Sequence, residues 1–134
     1  METLYINHIA VSVCAFLSLA IGGLWYSPVL FQKAWQREAG ISDEQMAKFN
    51  PLKIFVLTFV LALIISYNLA FFIGTPGTTW QWGLGAALLA AVWVVTMLII
   101  IALFEQRSFR YIAINCGYVA VYFAVTGFIL GIWR

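Results

Sequence analysis

Four long apolar stretches, divided by short polar interruptions, set the hydrophobic pattern of the chain. They run from about Leu4 to Tyr26, Leu52 to Ile73, Trp80 to Phe104 and Tyr111 to Trp133. Apart from Lys53 at the entry of the second, none carries an Asp, Glu, Lys or Arg. Each is roughly 22–25 residues long, and a helix needs ~20 to cross ~30 Å of hydrocarbon. Backbone polar groups in lipid must bond within their own segment, so helices are the expected element. The alternation of short strands that a β-barrel requires is absent. The expected fold is an all-α membrane protein, one domain over 1–134, with four transmembrane helices and a short interfacial amphipathic helix in the 28–50 connector.

Punctuation agrees with those limits. Asn50-Pro51 is a cap followed by proline at the first helical position. Gly74-Thr75-Pro76-Gly77 reads as a tight turn, and Ser108 is placed to cap the fourth helix. In the long connector, Ser27-Pro28 is expected to start a helix. Pro28, Phe31, Ala34 and Trp35 then share one face, with Lys33, Gln36 and Arg37 opposite. Ser42 with Gln45 forms a capping-box pattern, which predicts a further turn or two through Met46 and Phe49.

Composition sharpens the picture. Hydrophobic residues make up 64% of the 134-residue chain and charged residues 9%, whereas soluble domains hold roughly 25% charged residues. The net charge of +2 gives no reason to expect a nucleic-acid partner. Membrane lipids are the expected surroundings. The N-terminus lacks a basic region, with Glu2 its one charged side chain, so the first stretch is expected to be a retained helix rather than a cleaved signal. Cys14 and Cys116 lie in separate apolar runs and are expected to be packing residues rather than a disulfide.

The basic residues are distributed unevenly. Lys33, Arg37, Lys48 and Lys53 fall in or beside the first connector and Arg107 and Arg110 in the third, against Arg134 alone on the other side. The positive-inside rule then places both termini outside the cytoplasm. Trp25, Tyr26, Trp80, Trp82, Tyr111 and Trp133 sit near span ends, where amphipathic rings favour the headgroup layer.

Helices in lipid associate through small residues that allow close approach. Ala10, Cys14, Ser18 and Gly22 recur every four residues in the first span, and Gly83, Ala87 and Ala91 do so in the third. The fourth carries Gly127 and Gly131 in a GxxxG pattern, after Ala113, Gly117, Ala120 and Ala124. A four-helix bundle can consume such stripes internally, but three also leave room for a self-association face, so a homo-oligomer is expected, with Gly127 and Gly131 as its contact. Ile6-Asn7 through Gly23-Leu24-Trp25 is echoed by Ile114-Asn115 through Gly131-Ile132-Trp133, which raises an inverted repeat of the first and fourth helices as an alternative to coincidence.

Gly22-Gly23-Leu24-Trp25-Tyr26-Ser27-Pro28-Val29-Leu30-Phe31, with Trp35 following, is one distinctive element. A second is Phe104-Glu105-Gln106-Arg107-Ser108 leading into Ile114-Asn115-Cys116-Gly117-Tyr118, and then residues 127–134. Together they resemble the bacterial membrane family catalogued as domain of unknown function 1761, across nearly the whole chain. The resemblance implies a four-helix membrane protein of the bacterial cytoplasmic (inner) membrane and carries no activity. Read physically, Trp25, Tyr26, Ser27, Pro28, Phe31 and Trp35 form an interfacial hinge that breaks the first helix and folds the chain back along the membrane.

Candidate chemistry is sparse. Coupled transporters place charges inside their spans, and these spans are uncharged in their interiors. Asn115, Tyr118 and Tyr122 form the candidate polar intramembrane site, with Asn115 expected to bond a neighbouring helix. Asn7, His8 and Asn68 lie near the outer ends of their spans. Glu105, Arg107 and Arg110 form a cytoplasmic charge cluster, in which Glu105 is expected either to make a surface ion pair or to clamp the connector through Lys53 or Arg37. No catalytic residue, metal site or cofactor is expected. The leading functional reading is a non-catalytic accessory, assembly or lipid-interacting protein, with a larger membrane complex as a further partner. The alternative is an oligomeric channel or passive permease for a small neutral or hydrophobic solute.

Overall fold

A computed structural model describes residues 4–133. Six helices follow in order: α1 (His8–Trp25), α2 (Gln32–Ala39), α3 (Asp43–Ala47), α4 (Pro51–Ile73), α5 (Trp80–Phe104) and α6 (Phe109–Ile132). No strand occurs among the described residues. Helices α1, α4, α5 and α6, of 18, 23, 25 and 24 residues, are long and apolar enough to cross a membrane.

Their ends follow side-chain chemistry. Asn7 accepts from the Ile9 and Ala10 amides, so α1 starts at His8 and not near Leu4 as the hydrophobic run suggests. Residues 4–7 are non-helical, and the Tyr5 amide donates to the Gly74 carbonyl at 3.1 Å. Asn50, Thr79 and Ser108 cap α4, α5 and α6 through their side-chain oxygens. Ser42 and Gln45 form the expected capping box on α3. Ser27-Pro28 does not start a helix. Ser27 turns its hydroxyl back to the Leu24 carbonyl (2.7 Å), and its own carbonyl accepts from Leu30 and Gln32. The result is a turn, and α2 begins only at Gln32.

The bundle has two distinct ends. At one, the N-terminal segment meets the α4–α5 turn at Gly74, and Gly131 of α6 approaches Thr79 and Trp80. At the other lie the 26–50 connector and the α5–α6 turn, joined where Arg107 donates to the Ala39 carbonyl (3.2 Å). Lys33, Arg37, Lys48, Lys53, Arg107 and Arg110 all belong to this second end. Arg134 lies outside the described residues, as does Glu2.

Helix α6 is the hub, packing on α5, α1, α4 and α2, while α1 also packs on α4. The core consists largely of small side chains: Ala10, Cys14, Ala15, Ala62, Ala70, Ala87 and Ala91 are buried around Tyr122 and Phe123. Large apolar side chains such as Phe16, Leu61, Phe72, Leu89, Trp93 and Phe104 face outward. This reverses the order of a soluble domain and suits an apolar solvent.

Candidate functional site

The polar residues of the spans converge on one seam, where α6 meets α1 and α4. Tyr26, immediately after α1, donates its hydroxyl to Asn115 Oδ1 at 2.6 Å. One turn further into α6, the Tyr118 hydroxyl donates to the Ser18 carbonyl of α1 at 3.0 Å. A turn deeper again, the Tyr122 hydroxyl shares a hydrogen bond with Ser66 Oγ of α4 (3.1 Å) and lies 3.4 Å from the Ala62 carbonyl. The three phenols form a ladder, with Tyr118 stacked on Tyr122 at a centroid distance of 6.3 Å and tilted against Tyr26 at 5.7 Å. The next residue on this face is Thr126, whose hydroxyl is buried with no partner among the described residues. Its carbonyl faces the Cys14 thiol at 4.0 Å. Asn115 thus bonds a neighbouring segment, and the hydroxyls of Tyr118 and Tyr122 are used inside the bundle.

The hinge works differently from its expected role as a headgroup anchor. Trp25 turns inward and donates Nε1 to the Ile114 carbonyl (2.8 Å). Its ring lies over Gly117, where an added Cβ would come within 2.7 Å of the indole. Gly22 likewise lies beside the Tyr118 ring. The small residues therefore form notches that admit aromatic rings from the opposite helix. Phe31 packs on Trp25 (4.8 Å between centroids), and Trp35 meets Tyr26 edge-on (5.4 Å). The turn at Ser27-Pro28 carries α2 back onto α6 through these contacts.

The charge cluster also rearranges the expected pairing. Glu105 does not reach Lys53 or Arg37. It pairs with Arg107 at 3.1 Å, while Arg37 pairs with Glu38 at 3.6 Å. The clamp on α2 comes from Arg107, which reaches the Ala39 carbonyl and lies 5.0 Å from the centroid of the Tyr111 ring. A cation at a helix C-terminus satisfies free carbonyls and the helix dipole together. Arg110 pairs with no group among the described residues.

The glycine stripes are spent inside the bundle. A Cβ at Gly127 would strike the Gly83 carbonyl and the Ala87 side chain, and one at Gly131 would meet Trp80 and Thr79. Ala10, Cys14 and Ser18 are buried, as is Ala91. Gly127 and Gly131 are therefore not the exposed contact expected for self-association. The echo between the two ends also divides in role: Asn7 caps α1, whereas Asn115 lies inside α6. Asn68 turns back on the Ile64 carbonyl, and His8 Nδ1 lies 2.9 Å from the Tyr67 hydroxyl. No group of three metal-ligating side chains occurs among the described residues.

Fold and seam define an all-α protein with four helices of membrane-spanning length. The chain belongs to the family described as "Protein of unknown function (DUF1761)", which matches residues 9–131. No curated protein and no solved structure matches it.

Proposed function

We propose that this chain is a non-catalytic accessory, assembly or lipid-interacting component of the bacterial cytoplasmic membrane, with both termini on the outer side. One observation carries the reading: the hydroxyls of Tyr26, Tyr118 and Tyr122 are all taken by partners in the chain itself. A polar seam satisfied in this way joins helices and offers little to a passing solute. Satisfied polar groups inside a membrane bundle fix helix register, each contributing about 0.6–2 kcal/mol. The orientation is supported by the gathering of six basic residues at the connector end of the bundle. With Trp35 and Phe31 packed toward the seam and Lys33 and Arg37 on its other side, α2 suits a place in the cytoplasmic interface. A homo-oligomer would need a face other than the Gly127–Gly131 stripe.

The test is solute flux. Purified protein in liposomes is expected to pass glycerol, urea or small amides no faster than empty vesicles do. Protein-dependent, saturable flux would replace this reading with the channel or permease. Capture of a specific membrane partner without crosslinker is expected for an accessory subunit.

A further inference from the structure

Helices α5 and α6 touch backbone to backbone at Gly83 and Gly127, but toward their other end they enclose a cavity of about 110 Å³. It is lined by Leu98, Ile101, Glu105, Tyr111, Ile112 and Asn115, among others. The lining is chemically ordered along the helix axis. At the rim is Glu105, with one carboxylate oxygen on Arg107 and the other free of donors among the described residues. Deeper lies Asn115, in the second turn of α6. Its Oδ1 is held by Tyr26, which leaves the amide NH₂ with no acceptor among the described residues. Leu98 and Ile101, both partly exposed, continue the wall toward the middle of α5.

We propose that this cavity binds the headgroup region of an amino-phospholipid. The lipid's ammonium pairs with the free oxygen of Glu105. A glycerol ester carbonyl, which lies on the hydrocarbon side of the phosphate, accepts from the Asn115 amide. An acyl chain runs down Leu98 and Ile101. The order from rim to interior, carboxylate, then amide, then apolar wall, matches the order of amine, ester and acyl chain in a phospholipid of one leaflet. The carboxylate makes the site selective, since a lipid lacking an amine leaves the second Glu105 oxygen without a donor beside the ligand's phosphate. The shared chemistry is an ammonium next to a phosphodiester, and the lipid is its source because the apolar wall continues along a lipid-facing helix.

The site rests on the membrane residence proposed above, and the two fail separately. Protein extracted from membranes by carbonate would refute residence, whereas altered lipid selectivity in protein that resists extraction bears on the site alone. The test is native mass spectrometry of the full chain, released from micelles containing equal phosphatidylethanolamine and phosphatidylglycerol. The wild type is expected to retain one phosphatidylethanolamine in preference to phosphatidylglycerol. Glu105→Gln keeps the side-chain shape and is expected to cut that preference about tenfold, the effect of one charge-assisted hydrogen bond. Leu98→Trp, at the lipid-facing wall, is expected to expel the lipid with helix content unchanged, and it serves as the readout should Glu105→Gln fail to fold. Equal retention of both lipids by the wild type, or undiminished selectivity in both variants, overturns the proposal. Displacement of the lipid by soluble phosphoethanolamine at matched concentration overturns the lipid as the source.

Discussion

Replacing Gly127 by alanine tests the packing that holds α5 to the bundle. The new methyl would stand on the Gly83 carbonyl and the Ala87 side chain, with the Gly83 carbonyl carbon at 3.1 Å. Restoring ordinary contact requires α5 and α6 to separate by roughly 1 Å, and gaps of that size forfeit up to about half of each affected dispersion contact. Overpacking of this kind costs about 1–3 kcal/mol, partly offset by the gain of up to about 1 kcal/mol in helix propensity from glycine to alanine. The clashing atoms, a backbone oxygen and a Cβ, cannot rotate away, which puts the cost at the upper end and the net loss at about 2 kcal/mol. Gly85 of α5, two residues from Gly83, supplies the control: an added Cβ there meets nothing within 4 Å, so Gly85→Ala is expected to be neutral or slightly stabilising. Reversible unfolding in mixed micelles, followed by tryptophan fluorescence, measures both. Equal stability of the two variants would refute the backbone-to-backbone contact as the basis of the α5–α6 pair.

Further outcomes follow from the seam and the clamp. Tyr26→Phe and Asn115→Ala are each expected to lower stability by about 0.6–1.7 kcal/mol, and the double variant to cost less than their sum, as a double-mutant cycle in the same micelles will read. Trp25→Phe loses the bond to the Ile114 carbonyl and is expected to destabilise by about 1 kcal/mol, while Trp93→Phe, on the outward face of α5, changes little. Arg107→Met removes the donor to the Ala39 carbonyl, so limited proteolysis in the 32–48 segment is expected to accelerate several-fold while the four long helices stay intact. For orientation, a phosphatase fused to the C-terminus is expected to be active and a fluorescent protein at that end dark; the reverse pattern would invert the topology.

The spans were legible because length and absence of charge are properties of a segment by itself. Their caps were legible for the same reason: Asn50, Ser42 and Ser108 each act within four residues of their own position. What escaped was the rotation of each helix about its axis. Along α5 and α6 nearly every side chain is apolar, so composition gives no direction for the core, and only the small-residue stripes hint at it. The stripes located the contacts but not their partners. Gly117 proved to be a seat for Trp25, and Gly127 a contact for Gly83. Trp25 and Tyr26 end a span and so read as headgroup anchors, but the notch at Gly117 seats Trp25 and the Asn115 amide holds Tyr26. Of the two pairings open to Glu105, the local ion pair holds and the clamp to Lys53 or Arg37 does not: Arg107, two residues away, takes it, a pairing favoured by the left-handed turn at Gln106 (φ 58°) that folds Arg107 back. Asn7 marked the start of α1, a signal that the apolar residues before it concealed.

The central claim is that the seam is closed protein and not a solute path. Cys14 tests it without any substitution, since its thiol lies fully buried on the seam beside Thr126, whereas Cys116 lines the cavity at the charged end. Intact proteoliposomes are treated with a small, membrane-impermeant thiol reagent from either side, and the labelled cysteine is mapped by mass spectrometry. The closed seam predicts that Cys14 stays unlabelled until the protein is denatured. Labelling of Cys14 in the folded protein from an aqueous side, at a rate comparable to Cys116, would mean that water reaches the centre of the bundle and would contradict the account.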